Sequence, residues 1–297
     1  MISLRRLLIY LFLYLCVDSK HKKVLVKSHQ HGKKIVNYLE NKDVKRESHH
    51  RETTGTCYGR RQSPIKINSS KTKKLSWSKN IHFSENYYSY PKKMHLIVKS
   101  NSLHIALNYG KKSIPSVQGN ILNGTYKINH IVLHWGEFIE GSEHTIDDET
   151  YNMEVQLVHI NKEYKNFEES LKHENGIFIY STLFKLNNKK GTAGLELIAF
   201  HVPSFSIHPK YKRFKIAPFP ISWLMSSFDS YFLYKGSITY PPCAEVVTWI
   251  ISSQSQPVNT DQLRRFRMLY KKYPSLKLNI RNRQPWNGRT IYRKNVN

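Results

Sequence analysis

The side chains best suited to chemistry in this chain of 297 residues are histidines and carboxylates set in two apolar stretches. The first runs Ile128-Asn-His130-Ile-Val132-Leu-His134-Trp135-Gly136. The second runs Met153-Glu154-Val-Gln156-Leu-Val158-His159-Ile160. Imidazole binds divalent metals and moves protons near neutral pH, and a carboxylate beside it fixes the ring. Both stretches are strand-length and rich in β-branched residues, so both read as strands. Successive side chains of a strand take opposite faces. His130 and His134 therefore share a face, but ~13 Å of strand separates them, too far to chelate one ion without a bend. His159 lies an odd number of residues from Gln156 and is expected on the other side of its strand. Two readings of His134 stay open: a metal ligand, or a hydrogen-bonded core histidine, the commoner role for a lone imidazole in an apolar strand.

The surrounding sequence supplies the elements that would position these groups. Short stretches recur at Leu96–Val98, Leu103–Leu107, Ile177–Leu186 and Leu195–Val202, each read as a strand. Turn signals separate them, as at Asn108-Tyr-Gly110, Asn123-Gly124 and Asn175-Gly176. Helical periodicity is scarce. The best helix begins near Asn259, with Gln262 as its capping-box partner, and covers Gln262–Tyr270. With hydrophobic residues at 39% and aromatics at 12%, the chain is too apolar to be wholly disordered. The 13 glycines exclude a collagen-like chain, and 3 cysteines exclude a disulfide-dense miniprotein. A sheet-dominated single domain over residues 55–295 is expected. Residues 20–54, rich in Lys and His, read as a solvated basic segment.

The first nineteen residues read as a leader. Arg5-Arg6 precede an apolar run from Leu7 to Val17, which is too short for the ~20 residues of a membrane span. Cleavage after Ser19 is expected, leaving no membrane span in the mature chain; an uncleaved anchor is the alternative. Cleavage removes Cys16 and leaves Cys57 and Cys243. In an oxidising compartment this pair is expected to form one disulfide closing a loop of nearly 190 residues, for which loop entropy sets an upper figure of about 5 kcal/mol. Two unrelated buried thiols are the alternative. Asn68-Ser-Ser70 and Asn123-Gly-Thr125 are glycosylation sequons, which fit an exported protein.

Several motifs then fall in one order: Cys57-Tyr-Gly-Arg-Arg-Gln62-Ser63-Pro64-Ile65; His134-Trp135-Gly136; Gly141-Ser-Glu143-His144-Thr145; Glu154-Val-Gln156-Leu-Val158-His159; Tyr231-Phe-Leu-Tyr234-Lys-Gly236-Ser237-Ile-Thr239-Tyr240-Pro-Pro-Cys243; Trp249; and Asn282-Arg-Gln284-Pro285-Trp-Asn287-Gly-Arg289. Together they resemble the α-class carbonic anhydrases, from about Gly55 to Tyr292. The resemblance implies one large, twisted, mostly antiparallel sheet of about ten strands with a few short helices. It also implies a Cys57–Cys243 disulfide, as in secreted members. The tryptophan- and glycine-bearing motif that normally precedes the first cysteine is absent, and basic sequence replaces it.

In that family three imidazoles hold zinc, which lowers the pKa of a bound water to about 7 for attack on carbon dioxide. The resemblance places the ligand positions at Val132, His134 and Gln156, so two of three histidines are replaced. It places the proton-shuttle position at Asn101, which cannot titrate near neutral pH. Glu143 and Thr239 match the pair that orients the zinc-bound hydroxide. Glu154 matches the carboxylate that orients the third histidine. Tyr240, Val158 and Trp249 are placed as pocket lining. The expectation is a framework kept as a hydrogen-bonded network, without a zinc cofactor and without carbon dioxide hydration. The competing expectation is a divergent zinc-dependent enzyme with a rearranged metal site.

Charge suggests a partner. Lys+Arg number 47 against 21 Asp+Glu, a formal net charge of +26. From Asp261 onward there are eleven basic residues and one acid, and Arg264, Arg265, Arg267, Lys271 and Lys272 are the candidate polyanion contacts. A leader makes nucleic acid an unsuited partner and leaves extracellular sulfated glycosaminoglycans, anionic membrane surfaces or another protein. A basic surface that merely aids solubility is the alternative. The chain reads as a secreted, carbonic anhydrase-like binding scaffold.

Overall fold

Alternating apolar residues build this molecule around a single dominant sheet. A computed structural model describes residues 55–294, apart from 77–79, 100, 112, 208–212 and 278. The expected leader, Cys16 and the whole basic segment, residues 20–54, lie outside the described residues. In chain order the strands are β1 (Lys66–Ile67), β2 (Lys73–Lys74), β3 (His82–Phe83), β4 (Lys93–Lys99), β5 (Ser102–Asn108), β6 (Ser116–Gln118), β7 (Tyr126–Trp135) and β8 (Thr145–Ile146). They continue with β9 (Met153–Asn161), β10 (Ile177–Leu186), β11 (Arg213–Ile216), β12 (Tyr231–Gly236), β13 (Val247–Ser252), β14 (Gln256–Val258) and β15 (Tyr292–Lys294).

Among the described residues, thirteen strands join in one sheet. Ten follow one path, in the order β11-β4-β5-β7-β9-β10-β13-β12-β15-β2, and β14, β3 and β6 pair at its sides. Most pairings are antiparallel; β13 and β14 run parallel to β10, and β2 parallel to β15. The sheet thus exceeds the expected ten strands, because β3, β6 and β14 are two or three residues long and carry no readable period.

The two faces of the sheet bury different sets of side chains. One cluster takes Ile131, Leu133 and Trp135 of β7 with Val155 and Leu157 of β9. The other takes Val132 and Val158 with Ile179, Tyr234 and Trp249. An irregularity in the β7–β9 register between Ile128 and His130 switches the parity. Ile128 therefore joins the first cluster, while His130, Val132 and His134 share the opposite face. His159 faces away from Gln156, as its spacing predicts, and its Nε2 lies 2.6 Å from the Tyr87 hydroxyl.

One expected strand is a helix. Leu195–Val202 lies within the helix Ala193–Ile207. Its buried residues Leu195, Ile198, Ala199, Val202 and Phe205 recur at three- and four-residue steps, the period of one helix face. The helix Thr260–Arg267 starts where the sequence placed it. Asn259 Oδ1 accepts from the Gln262 N–H, and Gln262 Oε1 accepts from the Asn259 N–H. The chain continues as a tighter turn over Met268–Lys271.

Candidate functional site

Strands β7 and β9 lie at the centre of the sheet, and their antiparallel register sets Val132 opposite Gln156 and His134 opposite Glu154. All four side chains are buried. His134 Nδ1–H donates to the Asn279 carbonyl at 2.5 Å, and Asn279 Oδ1 accepts from the Trp135 N–H at 3.0 Å. That tether directs His134 Nε2 toward Glu143, 3.4 Å from its Oε2, with no hydrogen-bond partner.

Gln156 occupies the space between two buried carboxylates. Its amide nitrogen donates to Glu143 Oε2 at 2.8 Å and to Glu154 Oε1 at 3.0 Å. Exchanging amide O and N would set an acceptor against two carboxylates, so the hydrogen-bond chemistry fixes the orientation. Glu143 Oε1 accepts from the Arg281 N–H at 3.1 Å. Glu154 accepts further bonds from the His144 N–H, His144 Nδ1–H and the Ser181 hydroxyl, each at 2.8 Å. Burial alone would raise the Glu154 carboxyl; its interactions with His144, hydrogen bonds included, outweigh that and hold the group below the usual carboxylate range. The network continues outward. The Tyr234 hydroxyl lies 2.7 Å from His144 Nε2 and 2.9 Å from Ser63 Oγ. Arg281 ties the same region together, its guanidinium donating to Gln62 Oε1 and the Ser63 carbonyl.

The expected pairing of Glu143 with Thr239 does not form in this arrangement. Thr239 is buried, and the hydrogen-bond donors to Glu143 are instead the Gln156 amide and the Arg281 N–H. A neutral donor with two N–H groups reaches both carboxylates at once, which a threonine hydroxyl cannot do.

On the same face lies a second imidazole group, which the sequence motifs do not mark. His104 of β5 stacks on His130, with ring centroids 5.1 Å apart, and Tyr240 meets His104 edge-on at 6.0 Å. Phe167 meets His130 edge-on at 5.2 Å. His130 Nδ1–H donates to Asn129 Oδ1 at 2.7 Å, while its Nε2 is buried without a partner. Burial, then Lys99, lowers His130 to about 3, so the ring is neutral at ordinary pH. Of the expected lining residues, Val158 packs with Val132, Tyr240 lies against His104, and Trp249 is further off, 4.8 Å from the His144 ring and stacked on Tyr234. Asn101 sits half-buried in the turn between β4 and β5. His104, His144, Asn279 and Arg281 had no assigned role in the sequence. Only His144, inside a quoted motif, carried a signal that could have found it.

A zinc ion held by three imidazoles does not fit these side chains. Val132 has no donor atom, Gln156 turns its N–H groups to the carboxylates, and of the three positions only His134 offers an imidazole nitrogen. No group of three or more His, Cys, Asp or Glu among the described residues is arranged to hold a metal. The charged residues expected to meet polyanions are partly engaged. Arg264 and Arg265 pair with Asp261, and Arg265 also with Glu196. Arg267 donates to the Gly136 and Phe138 carbonyls, and Lys272 to the Phe205 carbonyl. Lys271 is exposed.

Cys57 and Cys243 are joined by a disulfide across a sequence separation of 186 residues. Among the described residues no helix is long and apolar enough to cross a membrane. A central strand pair bearing an imidazole–carboxylate network, within one large mixed sheet and beside few short helices, defines the architecture of an α-carbonic anhydrase. Comparison with known proteins agrees. The family model for eukaryotic-type carbonic anhydrases matches residues 45–295, starting ahead of Gly55. Carbonic anhydrase 3 of Mus musculus is 34% identical over 181 residues, covering 59% of this chain and 68% of that protein. Carbonic anhydrase 3 of Bos taurus is 29% identical over 251 residues, covering 82% and 93%. Carbonic anhydrase 1 of Oryctolagus cuniculus is 31% identical over 241 residues, covering 78% and 98%. The chain belongs to the eukaryotic-type carbonic anhydrase family.

Proposed function

We propose that this family member does not hydrate carbon dioxide and acts as an extracellular binding scaffold for sulfated polyanions. The observation that carries the first part is the Gln156 amide, which donates to Glu143 and Glu154 where the family's third imidazole is expected. A metal site needs lone pairs converging on one point. Here the central groups are one imidazole nitrogen, a valine and an amide whose N–H groups satisfy the carboxylates. The retained framework then serves as structure: a buried hydrogen-bonded network around Glu143 and Glu154 that stabilises the sheet.

Export is supported by the leader-like Arg5-Arg6 and apolar run, and by a disulfide, which persists in oxidising compartments. Asn123 is exposed in a turn, as a glycan acceptor must be. The excess of basic residues supports the polyanion partner.

Restoring the ligands tests the catalytic part. Val132→His with Gln156→His should bind zinc and hydrate carbon dioxide, while the natural chain does neither. Zinc-dependent hydration by the natural chain, unchanged by the double substitution, would sink the proposal. It would favour the divergent enzyme, a reading supported by the relatives' names and the open His134 Nε2.

A further inference from the structure

The face of the sheet that carries His134 and His130 extends outward to the edge strand β11, and its character changes on the way. Met94, Leu96 and Val98 of β4 and Phe214 and Ile216 of β11 turn toward the first core cluster. Alternation then turns Lys93, His95 and Lys99, with Arg213 and Lys215, to the opposite face. Register makes them neighbours. Lys215 lies opposite His95 and Arg213 opposite Ile97, and Ile97 in turn lies opposite His104 of β5.

This strip contains no acid. Strands β4, β5 and β11 hold no Asp or Glu. Lys93, Lys99, Arg213 and Lys215 are exposed, and none joins a salt bridge among the described residues. Arg213 instead donates to His95 Nδ1 at 3.2 Å, which requires an uncharged ring. Burial lowers the pKa of His95, and so do Arg213, Lys215 and Lys93, with no carboxylate acting against them. Four like charges held together without counter-charges raise the local potential and favour an anion that can neutralise several at once. They are also spread out. Lys93 and Lys99 are ~20 Å apart along the strand, and neighbouring strands are ~5 Å apart. A strip of that shape suits a linear chain of repeated anions better than one compact anion.

We infer that the acid-free face formed by Lys93, Lys99, Arg213 and Lys215, leading toward His104, is the surface that binds a linear sulfated polyanion. The inference rests on the polyanion reading above and moves the contact from the C-terminal arginines, which have internal partners and whose helix packs on the first core cluster, to the face of β4 and β11 turned away from that cluster.

The test uses the full chain and size-defined heparin oligosaccharides, with affinity measured by calorimetry across a salt series. Lys93→Ala with Lys215→Ala should weaken binding roughly tenfold at about 0.15 M salt and make the slope of log affinity against log salt shallower by about one to two. Arg264→Ala with Lys271→Ala should change affinity less than about twofold, as surface charges away from the contact do. Lys93→Arg with Lys215→Arg, which keeps the charge, should bind as the natural chain does. Unchanged urea midpoints show that the variants remain folded. Equal losses in both alanine pairs, or a loss confined to the Arg264 and Lys271 pair, overturn this placement and leave the polyanion reading standing. Absence of heparin binding by the natural chain near physiological salt overturns both. Tighter binding to single-stranded RNA than to heparin also overturns the inference, because it makes the partner a nucleic acid.

Discussion

Replacing Gln156 by leucine removes the donor shared by two buried carboxylates. The amide gives one hydrogen bond to Glu143 at 2.8 Å and one to Glu154 at 3.0 Å. Each bond to a charged acceptor is worth about 1.5–3 kcal/mol, so the gross loss is about 3–6 kcal/mol. Glu154 keeps three donors from His144 and Ser181. Glu143 keeps only the Arg281 N–H on its other oxygen, so most of the cost falls there. A buried leucine returns about 1 kcal/mol through apolar burial, leaving a net loss of about 2–5 kcal/mol. Urea denaturation of the full chain measures it, with an unchanged slope required for a stability reading. In a Glu143→Gln background the cost of Gln156→Leu should fall by about half, because a neutral acceptor is less expensive to strand. A Gln156→Leu variant within about 0.5 kcal/mol of the natural chain, or no coupling to Glu143, would refute the role assigned to this amide.

Acid should weaken the fold through Glu154. Its folded pKa lies below the ordinary 4.5, so its stabilisation is present above 4.5 and is lost as pH falls through the lowered folded value. The unfolding free energy from urea denaturation should decline across that window, and Glu154→Gln should flatten the decline. Cys57→Ser with Cys243→Ser should cost about 2–5 kcal/mol by the same assay, since the bridge closes a long loop; a cost near zero would mean the pair is not joined in solution. Tyr234→Phe removes a hydroxyl placed between His144 and Ser63, and the expected loss is about 1–3 kcal/mol. An unchanged midpoint would mean that water or a rearranged Ser63 replaces it.

The sheet was legible where strands are long and alternate cleanly. In β7 and β9 the apolar residues Ile131, Leu133, Val155 and Leu157 fall on one core face, so Val132, His134, Glu154 and Gln156 must share the other. The same rule turned His159 away correctly. It failed at Leu195–Val202, where a dense apolar composition hid the three- and four-residue steps of a helix. The capping box at Asn259 and Gln262 was readable because both partners lie within four residues. The site was legible only in part. Motif order located His134, Glu143, Glu154 and Gln156, but not which donors satisfy which acceptors. Asn279 and Arg281 come from over 130 residues away in sequence, and no local pattern announces such contacts. The His104–His130 stack depends on the β5–β7 pairing, and the acid-free basic face depends on β11 joining β4. Both follow from strand order, which alternation within a strand does not determine.

Zinc content of the full folded chain is the most direct measurement. Elemental analysis after dialysis against a weak chelator should find near-zero zinc in a chain that unfolds cooperatively, because the central side chains offer one imidazole nitrogen and an amide already committed as a donor. One zinc per chain would contradict the proposed loss of hydratase chemistry and would mean that the Gln156 amide gives way to a metal in solution.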